Sequence, residues 1–113
     1  MSDQFTIEPA PGIHVVRAGG AVIAETSSAL VLKEKGYEPV IYFPRADIGM
    51  AFLDSSETRT TCPHKGEASY YHIEAKSGRI EDAGWSYEDP LAGAEAIRGH
   101  IAFAHERVAV ERV

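Results

Sequence analysis

The chain has a single cysteine and a single tryptophan in 113 residues. It has no apolar run near the ~20 residues a membrane-spanning helix needs, and no cluster of lysine and arginine. Each absence excludes something. A lone cysteine closes no internal disulfide, and without a CxxC pair it supplies neither a redox dithiol nor half of a structural zinc site. That cysteine usage fits a reducing cytoplasm. The opening MSDQFTIEPAPGI carries neither the basic nor the apolar stretch of a secretory signal, so the expected location is cytoplasmic, with no membrane partner. A net charge of −6 repels a phosphate backbone, and no nucleic-acid partner is expected. The phosphate-loop pattern GxxxxGK[ST], GxGxxG and HExxH are all missing. The histidines at 14, 64, 72, 100 and 105 show no ligand spacing. Neither a metal nor a cofactor is expected.

What is present reads as one domain. Hydrophobic residues make up 44% of the chain, enough for a single core without disulfide or metal staples at this length. The pattern is one of short strands and turns. Residues 13–16 are apolar and β-branched, and Ala18-Gly19-Gly20 reverses the chain into AVIAE. Strands follow at 29–33 and 40–43, separated by the turn EKGYEP, and Pro44 closes the second. Residues 45–52 fit a short helical turn. SYYHIEA at 69–75 alternates with period 2, KSGR turns the chain into IEDAGWSYE, and the last residues, around Val108 and Val110, alternate with charged neighbours as a half-buried strand does. One segment reads as helix. Residues 91–99 follow Asp89-Pro90, a capping residue and a first-turn proline, and stop at Gly99. Many short strands and little helix predict an all-β domain over 13–113, preceded by an N-terminal extension at 1–12.

The richest stretch chemically is TTCPHKGEASYY, residues 60–71. Cys62 is followed by Pro63, whose bend can bring the Lys65 ammonium over the sulfur. A nearby cation favours the reactive thiolate, and His64 is a candidate proton acceptor. Against this, a free cysteine is often a small buried hydrophobe. Lys65-Gly66 has the makings of an anion cradle, since glycine lets backbone N–H groups approach closely. The plainer alternative is a turn in which Gly66 satisfies the backbone and Lys65 is solvated.

The aromatics form a second group. Trp85 and Tyr87, two apart, share a face on a strand. Tyr42, Tyr70, Tyr71 and Phe103 come from other segments. Such residues either fill a core or line a pocket, with phenol hydroxyls as the few polar contacts a ligand needs. Asp47 and Asp54 show no sign of convergence, and Asp47 fits a turn cap.

The blocks AVIAET (21–26), LVLKEKGYEPVIYFPRADI (30–48), CPHKGEASYY (62–71), WSYEDP (85–90) and IRGHIAFAHERVAV (97–110) appear in that order. Together they resemble the bacterial family catalogued as domain of unknown function 427, also labelled nucleotidyltransferase-like. The resemblance implies an all-β fold of the β-tent type, similar to Mss4-like domains and methionine sulfoxide reductase B but without their zinc cysteines. The family's blocks fall on Glu34, Tyr42, Pro44, Asp47, Cys62, Lys65, Gly66, Trp85, Tyr87 and Pro90. The family usually has an aromatic where this chain has His64, which places a titratable group beside Cys62. The nucleotidyltransferase label has no support in the residues: the paired acids for Mg²⁺ and the phosphate loop are missing.

Three functional readings follow. The first is a pocket for a small molecule, with an anionic group facing Lys65, framed by Tyr42, Asp47, Cys62, Lys65, Gly66, Trp85 and Tyr87. The second is an enzyme using Cys62, with His64 or Lys65 assisting. The third is a homodimer joined through the edge strand VAVERV.

Overall fold

The computed structural model describes residues 4–113. Among them the chain forms ten strands: β1 (Phe5–Pro9), β2 (His14–Ala18), β3 (Ala21–Thr26), β4 (Leu30–Glu34), β5 (Val40–Phe43), β6 (Leu53–Cys62), β7 (Gly66–Ala75), β8 (Gly78–Ser86), β9 (Ile101–Phe103) and β10 (Val108–Arg112). Seven make one antiparallel sheet in the order β1-β4-β5-β9-β8-β7-β6, and three make a second in the order β10-β2-β3. Two antiparallel sheets with almost no helix agree with the all-β, β-tent-type architecture expected.

Alternation along the central strands gives the large sheet two apolar faces. Phe43, Ile73, Ile80, Ala83, Ile101 and Phe103 pack against Val16, Ala18, Ile23 and Ala24 of the small sheet. Phe43 and Phe103 meet edge to face, with ring centres 6.0 Å apart, the geometry that their ring quadrupoles favour. The next residue along each strand faces the other way. Tyr42 and Ala102 join Phe5, Leu32, Ala68, Tyr87, Ala94 and Ile97 in a second cluster on the opposite side of the sheet. Each fully buried Ile or Phe in these clusters contributes about 1.5–3 kcal/mol relative to exposure.

The reversal after Ala18 is a two-residue hairpin. Ala18 pairs with Ala21, and Gly19 and Gly20 take φ of 57° and 80°. Two positive φ values in succession belong to a type I′ turn, which matches the twist of the flanking strands and favours glycine, asparagine or aspartate. This hairpin tip abuts the β7–β8 turn: a Cβ on Gly19 would come within 2.6 Å of the Ala75 Cβ.

Two segments differ from the sequence expectation, and one that the sequence left unassigned is a strand. Residues 5–9, placed in an N-terminal extension, form β1 and pair with β4 along its whole length; Phe5 is buried. The helix expected over 91–99 is a single 3-10 turn, Glu95–Ile97, because its backbone is committed elsewhere. Leu91 N–H donates to Lys65 O (2.9 Å), Gly99 N–H donates to Tyr87 O (3.2 Å), and Gly93 sits at φ +94°. The polar stretch 53–62 is β6, a long edge strand. The short helical turn expected over 45–52 is two 3-10 turns, Arg45–Asp47 and Met50–Phe52.

Candidate functional site

The turn at 62–66 joins two strands. Cys62 ends β6 and pairs with Gly66, which opens β7, so Pro63, His64 and Lys65 form a three-residue loop. Lys65 N–H donates to Cys62 O (3.3 Å). Gly66 lies at φ +113°, a backbone state that side-chain-bearing residues seldom adopt. A Cβ there would lie 3.4 Å from Asp89 O.

That geometry turns Lys65 inward. The residue is 7% exposed. Its Nζ donates to Glu34 Oε1 of β4 at 3.0 Å and to Cys62 Sγ at 3.4 Å. The ammonium also lies 5.4 Å from the Phe5 ring centre, within cation–π range. Burial opposes the charge, but the bonds to Glu34 and Cys62 outweigh it and raise the lysine above its ordinary pKa. Of the arrangements considered for Lys65 from the sequence, the structure has the one in which the ammonium folds back over the Cys62 sulfur; the side chain is not solvated, and Glu34 already neutralises it.

Next to this ion pair the large sheet opens into a cavity of about 620 Å³, within the range of small-molecule sites. Tyr37, Tyr42, Tyr70, Trp85 and Tyr87 line it together with Leu32 and Val40. Four of the chain's five tyrosines and its one tryptophan are therefore gathered here. Three of the rings are held by hydrogen bonds. Trp85 Nε1 donates to the Tyr42 hydroxyl at 3.2 Å, and the Tyr70 hydroxyl lies 2.9 Å from Thr60 Oγ1. Trp85 and Tyr70 are tilted neighbours, 6.4 Å between ring centres. Burial raises the pKa of both Tyr42 and Tyr87, so both phenols stay neutral across the physiological range.

The charged residues on the cavity are Glu34, Glu38, Asp82 and Lys65. Asp82 is the one non-glycine residue with positive φ among those described, at 51°. Its carboxylate accepts from Ser56 Oγ (2.5 Å) and Thr58 Oγ1 (2.8 Å), and its N–H donates to His72 Nδ1 (3.0 Å). The Ser56 and Thr58 bonds hold its pKa below the usual carboxylate value.

The residues singled out from the sequence divide accordingly. Tyr42, Lys65, Trp85 and Tyr87 lie on the one cavity. Gly66 shapes the turn beneath Lys65. Cys62 is half-buried and does not line the cavity, but it packs against the same apolar cluster as Tyr70 and Trp85. Asp47 is elsewhere: it borders a separate hollow with Ile13, Glu25, Thr26 and Ser27 and accepts from Thr26 Oγ1 at 2.7 Å. The 3-10 turn Arg45–Asp47 carries it toward the small sheet, where Ile48 bridges to Ala24. His64 is half-buried, and no hydrogen bond among the described residues links it to Cys62. Sequence reasoning missed Tyr37, Glu38 and Asp82 as cavity residues. An exposed tyrosine in the turn EKGYEP was the one available signal for the first two; Asp82 had none.

Among the described residues no group of three or more His, Cys, Asp or Glu side chains is placed to hold a metal ion, and no helix is long and apolar enough to cross a membrane. Residues 6–113 match the family described as Domain of unknown function (DUF427), and the chain belongs to it. No curated protein matches the chain.

Proposed function

We propose that this member of the family binds a small molecule in the cavity beside the Cys62–Gly66 turn. The observation that carries the reading is the convergence of Tyr42, Lys65, Trp85 and Tyr87, from three separated blocks of sequence, on one cavity of about 620 Å³. Aromatic walls give a flat or compact apolar body a large contact area, and the fixed phenols orient it. The Trp85–Tyr42 bond sets the indole plane before any ligand arrives, which lowers the ordering cost of binding.

Trp85 is the chain's sole tryptophan, so its emission reports on this cavity alone. A saturable change in that emission on titration with a member of a metabolite library, weakened by Tyr42→Phe, supports the reading. If no library member perturbs the indole of the folded domain, the reading falls.

A second reading rests on the Lys65 Nζ–Cys62 Sγ contact of 3.4 Å: a cysteine-dependent enzyme in which the ammonium steadies the sulfur. Iodoacetamide labelling of the folded protein decides it. Modification no faster than on a small free thiol at the same pH removes it.

A further inference from the structure

We propose that the ligand of this cavity is an organic cation, an ammonium or quaternary ammonium group carried on a small body. The inference rests on the small-molecule reading above and adds the charge class. Two independent features of the lining point the same way. The first is its charge balance. Glu34, Glu38 and Asp82 face a single base, Lys65, leaving a formal charge of −2. The Glu34–Lys65 pair is neutral as a unit, and its ammonium is already occupied by two acceptors. An entering anion would have to displace Glu34 from a lysine side chain only 9% exposed, while meeting Glu38 and Asp82 as like charges. A cation meets no such obstacle. Glu38 is exposed and makes no ion pair or hydrogen bond among the described residues, so its carboxylate is free to receive it.

The second feature is the wall itself. Tyrosine and tryptophan rings present a negative π face, and several such rings around one space stabilise an alkylammonium group that water would otherwise solvate. Tyr37, 73% exposed, stands beside Glu38 in the chain and completes the rim. The inner rings, Tyr42, Tyr70 and Trp85, are held by their own hydrogen bonds. The cavity is larger than a trimethylammonium group alone requires, which leaves room for the body that carries it.

The test is calorimetric titration of the full chain with choline and with benzyltrimethylammonium. The comparison probes are 3,3-dimethylbutan-1-ol, the uncharged isostere of choline, and benzoate. The expected result is that each cation binds about tenfold tighter than the neutral isostere, with no binding of benzoate. Glu38→Lys should weaken both cations about fivefold or more, since it brings a like charge to the rim. Equal or tighter binding of the alcohol or of benzoate overturns the cation assignment and leaves the small-molecule reading standing. Failure of both cations to bind a folded domain overturns the assignment as well, and the library titration above then decides whether any pocket ligand exists.

Discussion

Lys65 Nζ and Glu34 Oε1 lie 3.0 Å apart, joining the hairpin tip between β6 and β7 to the end of β4, 31 residues away in the chain. Both side chains are largely removed from water, so each charge depends on the other. Removing either partner strands a buried charge, at a cost of about 3–5 kcal/mol. Lys65→Met and Glu34→Leu should each lower the urea midpoint by a corresponding amount. The double variant should lose much less than the two single losses combined. Additive losses in this cycle would show that the pair contributes no coupling.

Gly66→Ala tests the turn. At φ +113° an L side chain is strained, at about 1–3 kcal/mol, while the new methyl would meet Asp89 O and Leu91 only at ordinary contact distance. Chemical denaturation should show a loss of that size. Amide exchange should show faster opening at Leu91, whose N–H is bonded to Lys65 O. An unchanged midpoint would mean that the turn relaxes without strain.

His14 gives the fold an acid sensitivity. Its Nδ1 is buried without a hydrogen-bond partner, and Arg112 lies opposite it on β10 with Thr26 on β3. Burial, then the Arg112 charge, push its pKa below the ordinary 6.5. The folded state therefore keeps His14 neutral at pH values where the unfolded chain takes up a proton. Its contribution is complete above pH 6.5 and is lost as pH falls from there through the lowered folded value. Urea midpoints of the wild type should decline over that interval, and His14→Phe should flatten the decline. An equally steep profile in the variant would assign the acid sensitivity to other groups.

Asp47 borders only the smaller hollow. Asp47→Ala removes the acceptor for Thr26 Oγ1 and should cost about 1 kcal/mol in denaturation. Because Asp47 does not border the aromatic cavity, Trp85 emission should be the same in the variant. A shifted emission maximum would place the two sites in communication.

The all-β class was legible because β2, β3, β4, β5, β7 and β8 carry apolar periodicity or β-branched runs between clear turn residues. Strand β6 was not. As the outer edge of its sheet it buries only Ser56, so it has no apolar face for the pattern to show. The three residues of β9 are all buried, because that strand is covered on both faces, and a run so short does not reveal its conformation. Asp89-Pro90 and Gly99 imitate the punctuation of a helix, yet the backbone from Leu91 to Gly99 bonds at its ends to Lys65, in the β6–β7 turn, and to Tyr87. Within the site, the shared face of Trp85 and Tyr87 was legible from their spacing of two, whereas for Tyr42 the sequence left core and pocket open. The environment of Lys65 was not legible, since no local pattern announces a carboxylate arriving from β4.

Tyr42 faces the aromatic cavity and Phe43, its neighbour on β5, is locked in the core between the sheets. The inner wall of the cavity and the keystone of the fold are thus adjacent links of a single strand. Occupancy would act as a brace on the whole domain: a compound filling the cavity at a hundred times its dissociation constant should add about 2.7 kcal/mol against heat unfolding, with little accompanying change of shape.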